Sequence, residues 1–188
     1  NQQQTAMMKR AGERIAAANG MAGQHWEFNL INDDTPNAFA LPGGYVGVNT
    51  GLFQVVRNED QLAAVMGHEI AHVVARHPEE RISREALVGT GAAVLGAAAP
   101  DLAGLASSAA TLGLILPFSR EQESEADVIG LQYMARAGYD PNAAVQVWQN
   151  FAAASSGEPP AFLSTHPSHG DRIARLQEQM PEAMTIYE

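Results

Sequence analysis

A chain of 188 residues is long enough for a sizeable core, and one domain over residues 1–188 is expected. Its 11 basic and 21 acidic side chains leave a net charge of −10, which favours solubility and argues against a nucleic-acid partner. The absence of cysteine excludes a disulfide framework and a thiolate metal site, and says little about redox compartment.

The chain begins at Asn1 inside what reads as a helix, Gln2 to Ala18, stopped by Asn19-Gly20. No signal peptide precedes it, so a processed or trimmed chain is expected. Trp26 to Leu30 alternates like a half-buried strand, and Asn32 to Pro36 reads as a turn. Phe39 to Leu41, and Tyr45 to Asn49 after the Gly43-Gly44 break, complete a small sheet. Its edge is a candidate pairing site for an extended peptide; the plainer reading is a support for the first helices. No internal repeat is seen.

Asn58 then offers an N-cap, with Glu59 and Asp60 in the first turn and Gln61 at the capping-box spacing. Leu62 to Val74 is apolar almost all round, which predicts a buried helix. Inside it lie His68, Glu69 and His72. Residues four apart share a helix face, so the two imidazoles can serve one metal ion, with Glu69 beside its open position. Buried and unpaired, each of these groups would cost about 1–3 kcal/mol. The alternative, core histidines satisfied by backbone carbonyls, leaves Glu69 unexplained. His77-Pro78 reads as the end of this helix rather than as a ligand.

Leu87 to Phe118 is Ala- and Gly-rich, with Asp101 its lone charge. Pro100-Asp101 divides it into pieces that each fall short of the roughly 20 residues a bilayer span needs. Buried helices or a lid over a cleft are expected, with peripheral membrane contact as a hypothesis.

Ser119 is the next N-cap, opening a helix to about Ala137 with Gly138 as its stop. Glu121 and Glu125 continue through Gln132 and Arg136, a polar stripe that reads as solvated. Glu123 and Asp127 continue through Gly130, Leu131 and Met134, the face expected to meet the core. Carboxylates on a buried face need a cation or a donor. Glu123 is therefore assigned to the metal and Asp127 to the second nitrogen of a ligand histidine, with Glu125 as the fallback ligand. Further on, Ser164 to Arg172 reads as a polar loop with Pro167 near the start of a helix carrying Ile173, Leu176 and Met180. Its His166 and His169 are ambiguous between surface residues and ligands.

His68-Glu69-Ile70-Ala71-His72, then Glu123-Ser124-Glu125-Ala126-Asp127, then Ser164-Thr165-His166-Pro167 with Arg172 beyond, occur here in order. That set resembles the zinc peptidases grouped with the CAAX prenyl protease and HtpX. Within them it is similar to the soluble, often lipid-anchored periplasmic branch containing BepA and LoiP. Asn37 to Tyr45 also looks like that family's strand region ahead of the zinc helix, and the similarity spans roughly residues 37 to 175. The resemblance puts the third ligand on Glu123, in agreement with the face argument. It implies that His166 lies beside the zinc, either stabilising the reaction intermediate or closing the site as a fourth ligand, and that Arg172 anchors that loop. A tetratricopeptide extension is absent from these residues, so functions that depend on such repeats do not carry over.

The reading is an α+β, zincin-like (minigluzincin) domain, mostly helical with a small β-sheet, holding one Zn2+ per chain. It would act as a zinc endopeptidase on proteins or peptides, by resemblance misfolded envelope proteins, in a periplasmic and lipid-anchored setting. Glu69, His166 and Arg172 are the catalytic candidates, and His68, His72 and Glu123 the metal ligands. The alternative is a chaperone-like protein-binding module whose zinc site is self-inhibited or structural. Substrate preference and oligomeric state stay open.

Overall fold

A short sheet lies against a bundle of helices, and the polar centre sits where the helices cross. The computed structural model describes residues 1–93, 117–155, 157, 160–167 and 170–188. Most of the 87–118 stretch, and His169, lie outside the described residues, as do the lid and membrane-contact expectations. Among the described residues no helix is long and apolar enough to cross a membrane.

Helix α1 (Gln2–Ala18) is capped by the Asn1 side chain and buries Met8, Ala11 and Ile15. Three strands follow: β1 (Glu27–Ile31), β2 (Ala38–Leu41) and β3 (Tyr45–Asn49). The first of these begins one residue later than the alternation of polar and apolar residues suggests. The strand order is β1-β3-β2, with β1 parallel and β2 antiparallel to β3. Phe28, Ala38, Ala40, Val46 and Val48 turn to the core, as a period of two requires. Between β2 and β3 the chain turns through Gly43 and Gly44, both at positive φ. A Cβ at Gly44 would stand 2.1 Å from the His25 carbonyl oxygen, so a side chain is excluded there.

After a 3-10 turn (Thr50–Gln54), α2 (Glu59–Val74) begins at Asn58, whose Oδ1 accepts from the Gln61 N–H at 2.9 Å. The Gln61 side chain reaches back one residue further than a capping box requires, accepting from the Arg57 N–H at 3.0 Å. Every residue from Gln61 to His72 is buried. The helix ends at Val74, before His77. Arg76 takes a left-handed conformation, and α3 (His77–Ala93) starts at once, with Pro78 in its first turn. His77 therefore opens a helix instead of closing one.

Helix α4 (Arg120–Arg136) carries a full capping box: Ser119 Oγ accepts from the Gln122 N–H, and Gln122 Oε1 accepts from the Ser119 N–H. Gln122 Nε2 also donates to Glu80 Oε2 at 3.0 Å, tying α4 to α3. The crossing of α2 and α4 is set by two glycines. A Cβ on Gly67 would meet the Gly130 carbonyl oxygen at 2.9 Å, and one on Gly130 would meet the His68 backbone nitrogen at 2.8 Å. Gly130 follows Glu123 by two turns on the same face, so the close approach that glycine permits brings Glu123 up to His68.

Helices α5 (Asn142–Ala154), α6 (Ala161–Thr165) and α7 (Arg172–Tyr187) close the bundle. Helix α5, which has no counterpart among the expected elements, buries Val147, Trp148 and Phe151. Ser164 and Thr165, expected in a loop, end the short α6. Pro167 does not start the last helix; α7 begins five residues later, at Arg172, and buries Leu176 and Ala183.

Candidate metal centre

His68 and His72 project from one face of α2, Glu123 reaches in from the first turn of α4, and His166 comes from the end of α6. All four are buried, and one ligand atom from each lies within 4.8 Å of the other three. His68 Nε2 stands 3.0 Å from His72 Nε2 and 3.1 Å from His166 Nδ1. Glu123 Oε1 stands 3.0 Å from His72 Nε2 and 2.9 Å from His166 Nδ1. Four donors around a zinc at about 2.1 Å would sit about 3.4 Å apart, so these residues fit the ion. Three nitrogens and a carboxylate oxygen are also a donor set it prefers.

The outward nitrogen of each ring has a neighbour. His68 Nδ1 lies 3.1 Å from Asp127 Oδ1, His72 Nδ1 lies 2.9 Å from His77 Nδ1, and His166 Nε2 lies 3.2 Å from Glu69 Oε1. Such partners fix the tautomer and orientation of a ligand ring. Glu69 is fully buried, and neither of its oxygens has an aligned hydrogen bond among the described residues. A buried carboxylate needs a donor, and the nearest ring nitrogen is His166 Nε2.

Arg172 binds the carboxylates from behind. Its guanidinium pairs with Asp127 Oδ1 at 2.6 Å and Glu123 Oε2 at 2.8 Å, and lies 3.3 Å over the Trp148 ring. One buried cation thus holds both buried carboxylates of α4, with an aromatic face beneath it. Phe118 stacks on His72 at 3.9 Å and Phe162 on His166 at 4.3 Å, which restricts both rings.

The electrostatics show what the cluster demands. Burial alone would press the His68 imidazole down, but the Glu123 charge and the Asp127 contact raise it from 6.5 to about 9. His72 moves the other way: burial holds it well below its ordinary value, against the attraction of Glu123. Burial would raise Glu123, yet the His166 and His68 rings hold it well below the usual carboxylate range. The two histidines thus shift in opposite directions around an ionised Glu123, and a neutral imidazole and a carboxylate are the forms that bind a metal. Arg81 on α3, buried nearby, is lowered to about 10 by that burial, against the pull of Glu69 and Glu123.

The structure brings together His68, Glu69, His72, Glu123, Asp127, His166 and Arg172. It leaves Glu125 outside the cluster: its side chain is 58% exposed and faces His77. Sequence reasoning missed His77, Phe118, Trp148 and Phe162. The aromatic residues carry no motif, and the one signal for His77 was a histidine five residues after His72 in a buried setting.

Residues 2–180 match the model of peptidase family M48. The chain is 47% identical over 182 residues to the "Mitochondrial metalloendopeptidase OMA1" of Schizosaccharomyces pombe, covering 95% of this chain and 54% of that protein. It is 36% identical over 177 residues to the protein of that name from Saccharomyces cerevisiae, covering 88% and 50%. The "Beta-barrel assembly-enhancing protease" of Escherichia coli is 37% identical over 183 residues, covering 90% and 37%. The chain thus spans about half or less of the length of these relatives. The expected periplasmic branch is not singled out, since the S. pombe mitochondrial protein matches at higher identity than the bacterial protease.

Proposed function

The chain belongs to peptidase family M48, and from that premise we propose that it is a zinc-dependent endopeptidase acting on proteins. The observation that carries this is the convergence of His68, His72, Glu123 and His166 beside the buried, unsatisfied carboxylate of Glu69. His68, His72 and Glu123 would hold the metal. Bound zinc would supply Lewis acidity, which acidifies water and polarises a peptide carbonyl. Glu69 takes the proton of the attacking water and returns it to the leaving amine, a general-base and then general-acid role. Asp127 fixes the His68 ring through Nδ1, and Arg172 holds Asp127 and Glu123 in place.

His166 has two roles open to it, and the geometry favours one at rest. Its Nδ1 faces the ligand atoms while its Nε2 faces Glu69, so it fills the fourth direction and covers the base at once. We take the resting site as closed by His166. Displacement of the ring opens the site, after which it can stabilise the oxyanion of the intermediate.

A second reading draws on the same closure. Four protein donors saturate a structural zinc, as a protein-binding module with a shut metal site would have. Chelator-sensitive digestion of casein by metal-loaded protein separates the two: it is expected for the peptidase and excluded for the binding module.

The proposed substrates are proteins of a bacterial envelope or of a mitochondrion. The first follows from the motif resemblance, as do a periplasmic location and lipid anchorage; the second follows from the names of the relatives. An extended substrate pairing along the β2 edge, which packs near α2 and α3, is part of the same proposal.

A further inference from the structure

His77 was met above only as a neighbour of His72, and Glu125 only as a residue outside the cluster, yet together they make a continuous path from the cluster to the surface. His72 Nδ1 and His77 Nδ1 are 2.9 Å apart, and His77 Nε2 and Glu125 Oε2 are 3.2 Å apart. His77 is 2% exposed, while the side chain of Glu125 is 58% exposed. The two rings are inclined at 71° to each other, with centroids 5.0 Å apart. The backbone also works to hold them there. Arg76, the one non-glycine residue at positive φ among the described residues, adopts φ 62° and turns the chain so that His77 comes back beside His72. A left-handed non-glycine residue is strained, and such strain persists where surrounding contacts over-determine it.

Two facing Nδ1 atoms can share one proton, so the directions of these bonds are linked. For His72 to present a bare Nε2 to a metal, its proton must be on Nδ1 and must be donated to His77. His77 then accepts at Nδ1 and carries its own proton on Nε2, donating it to the Glu125 carboxylate. Reversal of either bond would put a proton on His72 Nε2, facing the ion. Neutral imidazoles and an ionised carboxylate satisfy the whole chain, and every proton in it is accounted for.

We propose that His77 and Glu125 are positioning residues that set the metal-binding tautomer of His72, as Asp127 does for His68. The inference rests on the zinc reading above. It goes beyond that reading because it assigns a role in metal binding to a histidine and a surface glutamate outside the four-residue cluster.

The test measures zinc affinity, by competition with a chromophoric chelator, in the wild-type chain and in three variants. His77→Phe removes the acceptor and should bind zinc about 10–100-fold more weakly. His77→Asn returns an acceptor near the Nδ1 position and should recover most of that loss. Glu125→Ala lies on the exposed face of α4, where alanine favours the helix, and should weaken binding in the same direction by about tenfold. Should His77→Phe fail to fold, Glu125→Ala still decides. Nitrogen NMR of the zinc-loaded wild type should find the proton of His77 on Nε2. Unchanged affinity in the folded variants, or a His77 proton on Nδ1, overturns the proposal. A wild type that binds no zinc overturns the metal reading itself, so the two failures are distinguishable.

Discussion

His166 Nε2 stands 3.2 Å from Glu69 Oε1 while the other nitrogen of the same ring faces the metal ligands. One side chain therefore covers both the candidate base and the fourth direction of the cluster. His166→Ala should keep one zinc per chain and uncover the ion to small zinc-directed ligands. If nine-tenths or more of the resting protein is closed, a hydroxamate should bind the variant about tenfold or more tightly than wild type. Equal hydroxamate affinity in the two would show that His166 does not close the site.

The approach of α4 to α2 depends on Gly67 and Gly130. Gly130→Ala places a methyl group 2.8 Å from the His68 backbone nitrogen, with no flexible side chain to yield. Overpacking of this kind costs about 1–3 kcal/mol. The melting temperature should fall by roughly 2–10 °C, and zinc affinity should fall with it because Glu123 is carried on the same helix. An unchanged melting curve would mean that the helices have room to spare.

Arg10, Glu59 and Tyr139 tie α1 and the loop after α4 to the start of α2. Glu59 accepts from Arg10 Nε at 2.9 Å and from the Tyr139 hydroxyl at 3.0 Å. The Arg10 hydrogen bond, first among the causes, lowers the Glu59 pKa from 4.5. A carboxyl with a depressed folded pKa adds stability that is fully present above its unfolded value and is lost as pH falls through the folded value. Glu59→Gln should therefore lower the melting temperature at pH 7, and the gap to wild type should narrow progressively as pH falls below 4.5. A gap that does not narrow as pH falls below 4.5 would assign the effect to packing, not charge.

Arg76 holds a left-handed conformation that glycine adopts without strain. Arg76→Gly should leave thermal stability unchanged or raise it by up to about 1 kcal/mol, the strain being offset by greater freedom in the unfolded chain. A loss beyond 1 kcal/mol would show that the Arg76 side chain itself is needed.

Much of this site could be read from the sequence because its main signals are local. Asn58 and Ser119 cap the two helices, Gly138 stops the second, and the four-residue spacing of His68 and His72 needs only a helix. Glu123 could be told from Glu121 and Glu125 because burial follows helix faces. What could not be read depends on the path of the chain between elements. The parallel pairing of β1 with β3 skips β2. His77 meets His72 only because Arg76 turns left-handed, a conformation its residue type disfavours. Phe118, Trp148 and Phe162 reach the cluster from three separate segments, and no periodicity connects them.

The account rests on a metal held by these side chains and a proton moved by Glu69, and Glu69→Gln tests both together. Zinc content and casein digestion should be measured side by side on wild type and variant, with and without chelator. The expected result is one zinc per chain in both proteins, with cleavage by the variant reduced about 100-fold or more. Cleavage at the wild-type rate by a homogeneous, metal-loaded Glu69→Gln variant would contradict the account.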